Sequence, residues 1–113
     1  MPLRDLGVLM LAPQHLKALQ ALLHTHVPKA DVWAYGSRVT DKAHEGSDLD
    51  LVLRNPVDLQ QEVEGWYELQ EALQESTLPM LVEVHQWTQL PTSFHPQIEA
   101  AYAVLQDSSR RAG

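Results

Sequence analysis

Asp31-Val32-Trp33-Ala34-Tyr35-Gly36-Ser37, followed after ten residues by Asp48-Leu49-Asp50-Leu51-Val52-Leu53, is the stretch on which the fold turns. Its first five residues are mostly β-formers and stop at a Gly-Ser pair, which predicts a buried strand that breaks into a turn. The second run alternates over its first half. It predicts a strand with Asp48 and Asp50 on one face and Leu49 and Leu51 on the other. Two carboxylates on one face repel unless water or a cation neutralises them, and a hard divalent ion such as Mg²⁺ takes oxygen ligands of this kind. Gly36 permits positive φ and close approach of a ligand, while Ser37 adds a hydroxyl and its own N–H. Such a turn suits phosphate oxygens, the more so if a helical turn follows with free N–H groups. A solvated strand start would explain the aspartates alone, and a plain turn would explain Gly36-Ser37 alone. Together they supply what phosphoryl or nucleotidyl transfer needs, because positioning and charge neutralisation dominate that chemistry.

Outward from this centre, Leu16, Leu19 and Leu23 recur at helical spacing and predict an amphipathic helix over 13–27, closed by Pro28. On the other side, Asn55-Pro56 marks a turn, and Asp58 with Gln61 three residues later resembles a capping box. The helix it would open carries Leu59, Val63, Trp66, Tyr67 and Leu73 as its apolar stripe, with glutamates on the solvated faces. Met80 to His85 reads as a third strand, and Ile98, Ala101, Tyr102 and Leu105 as a terminal helix before a loose tail at 108–113. The order helix, strand, strand, helix, strand, helix predicts a single small α/β domain over 1–107, with a short mixed sheet and packed helices. The first two strands are linked by about ten residues, near the lower limit for a parallel crossover, so the spacing leaves their relative orientation open.

With 113 residues the chain has room for one core and little for a separate acceptor-recognition domain. No apolar run approaches membrane-spanning length, and no secretory signal is legible, so a soluble cytoplasmic protein is expected. The absence of cysteine removes thiolate metal sites and cysteine nucleophiles. A net charge of −7 gives no support to nucleic-acid backbone binding, although Arg38, Lys42 and Arg54 lie near the predicted site. The six histidines show no metal-ligand spacing. His85 shares the predicted face of Glu83 and is left unassigned.

Trp33-Ala34-Tyr35-Gly36-Ser37-Arg38 and Ser47-Asp48-Leu49-Asp50-Leu51-Val52 resemble the signature of the minimal nucleotidyltransferases, in the DNA-polymerase-β-like nucleotidyltransferase superfamily. The order of helices and strands over most of the chain is similar as well. The resemblance implies that Gly36 and Ser37 contact a nucleoside triphosphate; Arg38, which follows directly, is placed either to pair with phosphate or to form an ordinary salt bridge. It also implies that Asp48 and Asp50 ligate Mg²⁺, two ions being usual, and that Glu83 is the third catalytic and metal-binding acid. The expected reaction is transfer of a nucleoside monophosphate, with AMP from ATP the leading case, to an acceptor hydroxyl. Standalone members resemble antitoxins paired with a small all-helical HEPN-type toxin, and some adenylylate a tyrosine of that partner. The chain departs from the pattern at Val39-Thr40-Asp41, where relatives carry Ala-Arg-Gly, and at Glu83, where aspartate is usual. The alternative is a binding module of the same fold that neutralises its partner by complex formation.

Overall fold

The computed structural model describes residues 3–4, 6–9, 11–39 and 48–107. Lys42, Gly46 and the expected tail at 108–113 lie outside the described residues. The elements are β1 (Leu3–Arg4), α1 (Pro13–His26), β2 (Asp31–Tyr35), β3 (Leu49–Arg54), α2 (Trp66–Glu75), β4 (Val82–Gln86), α3 (Phe94–Ala100) and β5 (Tyr102–Gln106). They build a mixed five-stranded sheet in the order β1-β5-β2-β3-β4. The orientation left open by the sequence is antiparallel for β2 and β3, with Tyr35 opposite Asp50, and β4 then runs parallel to β3 with Glu83 opposite Asp50.

Alternation in the strands assigns the two faces. Val32 and Ala34 of β2, Leu49, Leu51 and Leu53 of β3, and Val84 of β4 all enter one buried cluster. Leu19 and Leu23 of α1 and Leu69 and Leu73 of α2 close over it, which is what their helical spacing requires. At about 1.5–3 kcal/mol for each large aliphatic side chain fully buried, this layer dominates the folding free energy. A smaller cluster on the opposite face joins Val52 of β3 to Ile98 of α3 and to Trp87, with Trp33, Tyr35 and Leu90 packed against it. The acidic residues of β3 and β4 share this second face.

Two predicted elements are corrected. The helix expected from Asp58 starts at Trp66 instead, since Asn55 Oδ1 accepts the N–H groups of Val57 and Asp58, and Asp58 Oδ1 accepts that of Gln60. Those bonds make local turns, the competing use of Asn and Asp side chains that a capping signature cannot distinguish. Gly65 then takes φ 94°, and a Cβ there would lie 2.1 Å from the His26 carbonyl oxygen, so this glycine sets the helix start against the end of α1. Next, the terminal helix stops at Ala100, and Tyr102 to Gln106 form β5. Pairing with β1 on one side and β2 on the other makes β5 an interior strand, which outweighs the helical spacing of Ile98, Tyr102 and Leu105.

The free edge of β4 is covered rather than bare. Gln86 places its amide against the 58–65 segment, accepting from the Val63 N–H and donating to the Val63 carbonyl at 2.9 Å each. Trp66 Nε1 donates to the Val84 carbonyl, again at 2.9 Å. Side chains thus satisfy backbone groups that would otherwise invite pairing with a second sheet.

Candidate active site

Strand register brings the site together. Tyr35 is the last residue of β2, Asp50 lies opposite it on β3, and Glu83 lies opposite Asp50 on β4, so these residues form one row across the second face. His85 follows two residues after Glu83 and therefore shares that face. Single ligand atoms from Asp50, Glu83 and His85 all fall within 4.8 Å of one another. His85 Nε2 stands 3.7 Å from Glu83 Oε2, and the His85 ring is 6.4 Å from that of Tyr35.

Gly36 closes the row from the side of the turn. Its φ of 83° is positive, and a Cβ at this position would lie 2.8 Å from Asp50 Oδ2. The glycine is therefore required twice, by the backbone and by the carboxylate resting on it. A short 3₁₀ turn, Gly36–Val39, follows. Within it Arg38, left open between phosphate pairing and a salt bridge, is turned inward. Arg38 is 1% exposed, and its Nη1 donates to the Leu9 carbonyl at 2.6 Å, tying this turn to the 3₁₀ turn at Leu6–Leu9. Asp48 lies just before β3, is exposed, and stands outside the three-residue cluster, although its charge acts on Asp50.

Electrostatics make the row uncomfortable without a counter-ion. Burial is the main cause that raises the Asp50 pKa above the ordinary carboxylate value, Glu83 and Asp48 add to it, and His85 opposes it. The Tyr35 hydroxyl is pushed up to about 12, first by burial and then by the charges of Asp50 and Glu83. Like charges directly opposite on neighbouring strands destabilise a sheet. A divalent cation reverses each of these effects at once. The donor set fits one, because donors around an ion with bonds of about 2.1 Å lie roughly 3–4 Å apart, and the His85 and Glu83 donors already stand 3.7 Å apart.

One cavity of about 660 Å³ is lined by Trp33, Tyr102 and Leu3 among others, and one of about 640 Å³ lies between Val57 and Lys29, and neither contains Asp50, Glu83 or His85. Sequence reasoning left His85 unassigned and did not see Tyr35 as a neighbour of the acids. Strand parity pointed to the first; only the antiparallel register of β2 and β3 reveals the second.

An acidic row beside a Gly-Ser turn, on the face of a mixed sheet opposite its main helical layer, is the architecture expected from the resemblance. The chain belongs to the nucleotidyltransferase domain family, whose model matches residues 13–105. It is a nucleotidyltransferase, and enzymes of this class use a nucleoside triphosphate and a divalent metal. Among curated relatives it is similar to the probable protein adenylyltransferase MntA of Haemophilus influenzae, with 34% identity over 99 residues, covering 86% of this chain and 83% of the relative. No helix among the described residues is long and apolar enough to cross a membrane.

Proposed function

We propose that this chain is a Mg²⁺-dependent adenylyltransferase that moves AMP from ATP to a hydroxyl group on a protein partner. The observation that carries the reading is the convergence of Asp50 and Glu83 beside the backbone of Gly36, where a metal-bound triphosphate would meet both carboxylates and the turn. The printed name of the H. influenzae relative supports protein as the acceptor.

In this mechanism the Gly36-Ser37 turn receives the triphosphate, and Asp50, Glu83 and the more exposed Asp48 hold the cation. The bound cation supplies charge neutralisation at the phosphates and lowers the pKa of the attacking hydroxyl. The hydroxyl oxygen forms the new bond to the α-phosphorus as the bond to the pyrophosphate oxygen breaks. Glu83, about half exposed and opposite Asp50, is placed to take the hydroxyl proton. Tyr35, kept protonated by its surroundings, adds a donor at the head of the row.

The partner we propose is a small all-helical HEPN-type toxin, with this chain as its antitoxin. Support comes from the resemblance of Gly36-Ser37 and Asp48-Leu49-Asp50 to the minimal nucleotidyltransferases and from the small size of the domain. Calorimetry with ATP and Mg²⁺ should show binding in the wild type that Asp50→Asn loses, and equal binding by two folded proteins would sink the site. Co-expression with the product of the neighbouring gene, followed by mass measurement with ATP and Mg²⁺, tests the rest. A partner that gains an adenylyl group only when Asp48 and Asp50 are intact supports an enzyme antitoxin. A stable complex without modification supports the binding module instead, and modification of a small hydroxylated molecule without a complex overturns the protein partner.

A further inference from the structure

The three side chains that converge on the second face differ in chemistry from an all-oxygen set. Asp50 and Glu83 bring carboxylates, but the third donor is the imidazole of His85, and Asp48 stands outside the group. We propose that His85 is a nitrogen ligand of the cation site and raises its affinity for borderline first-row ions such as Co²⁺, Ni²⁺ or Zn²⁺ relative to Mg²⁺. This inference rests on the reading of Asp50 and Glu83 as the cation site.

Strand geometry carries the assignment. His85 and Glu83 are two apart on β4, while the register places Glu83 opposite Asp50 and His85 opposite Val52, so all three side chains emerge on one face. Nε2 of His85 is 3.7 Å from Glu83 Oε2, within the span between two ligands of one ion. Both side chains are accessible, His85 at 39% and Glu83 at 49%, so a solvated cation can reach the donors and shed water to them. As an ion pair with Glu83 the histidine is exposed and screened by water. As a ligand it does more. Carboxylate and water suit Mg²⁺, whereas an imidazole nitrogen adds affinity for later first-row ions. Mg²⁺ would be held by the two carboxylates and its own water, so the His85 nitrogen would change its affinity less than that of the later ions.

The test uses the full chain without nucleotide and with the metals alone. Pulsed electron paramagnetic resonance of the Mn²⁺-loaded wild type should show hyperfine coupling to a directly bonded nitrogen, and His85→Gln should lose it. Calorimetric titration should show Co²⁺ affinity falling about tenfold in His85→Gln, the scale on which a lost contact of about 1.4 kcal/mol appears, with Mg²⁺ affinity changing much less. Absence of nitrogen coupling in the wild type overturns the proposal, as does an unchanged ratio of Co²⁺ to Mg²⁺ affinity in the variant. If His85→Gln does not fold, the spectrum of the wild type decides alone. Asp50→Asn separates this idea from the one beneath it: cation-assisted ATP binding that survives Asp50→Asn removes the catalytic-site reading. Loss of binding there, with His85→Gln indistinguishable from wild type, removes only the nitrogen ligand.

Discussion

Asp50 and Arg54 lie four residues apart on β3, emerge on the same face, and are both half-buried charged groups whose ionised forms are disfavoured first by burial. Their surroundings diverge. The Arg54 guanidinium lies 3.8 Å from the centre of the Trp33 ring and 4.5 Å from that of Trp87, while Asp31, Glu99 and Tyr102 favour its charge. Tyr102 stacks on Trp33 and His95 on Trp87, so the cation sits inside a ladder of aromatic rings. Asp50 instead meets Glu83 across the strand and Asp48 beside it, with His85 as a partial counterweight. The fold offsets the positive group with its own side chains and sets the negative one against two further carboxylates, which is the ground for the proposed cation site. That asymmetry is how one sheet face provides both a support and a site.

Breaking the supported end should cost most. Arg54→Ala removes a partly desolvated cation from two tryptophan faces, for an expected destabilisation of about 1–2 kcal/mol. Urea unfolding at neutral pH measures it, and Arg54→Met, which keeps the aliphatic bulk, should recover part of the loss if packing contributes. Cation-assisted ATP binding should survive in both variants when they are folded. Its loss would mean that the two ends of the face are one functional unit.

The unsupported end should respond with the opposite sign. Asp50→Asn takes away a carboxylate facing Glu83, so in metal-free buffer at neutral pH the variant should be more stable than wild type by roughly 0.5 kcal/mol. Adding a divalent cation should stabilise the wild type and reverse the order, since binding to the folded state alone adds RT ln(1 + [L]/Kd). A wild type that is the more stable protein even without metal would show that Asp50 is already compensated, and the comparison with Arg54 would fail.

The same contrast explains how far the sequence could be read. The strand Asp31–Tyr35 and the strand containing Asp50 were legible, because apolar residues and turn signals bound them locally. The last strand was not. Ile98, Ala101, Tyr102 and Leu105 satisfy a helical stripe as written, and only partners far away in the chain, Leu3 and Val32 to Ala34, make Tyr102–Gln106 a strand. Asp58 and Gln61 gave a capping pattern that local turns absorb, and the signal against a helix was Gly65. At the site, the sequence pointed to Asp50 and Glu83 through their strands, and their convergence was a matter of register. Arg38 was undecided because proximity to the turn says nothing of direction: one of its nitrogens donates to the Leu9 carbonyl. His85 had the right parity, but parity alone gives no distance.

The smallest expected effect is a titration, and it sharpens the account of the acidic row without disturbing the fold. Tyr35 holds its proton to about 12, with burial the leading cause and Asp50 and Glu83 next. Because its folded pKa lies above the ordinary value of about 10, the protonated hydroxyl favours the folded state. That contribution is complete below pH about 10 and is lost as pH rises toward 12, where the unfolded chain has released its proton and the folded chain has not. Absorbance at the tyrosinate band should show one late transition that Tyr35→Phe abolishes. Asp50→Asn should move that transition to lower pH, because one of the repelling charges is gone, while burial still keeps it above the ordinary tyrosine range. An unshifted transition in Asp50→Asn would leave burial and the Glu83 charge as the causes and would mean that the Asp50 charge is screened from its neighbour. Arg54→Met should leave the transition in place, because Arg54 is absent from the groups that act on Tyr35. A shift there as large as in Asp50→Asn would show that the two ends of the face are electrostatically joined.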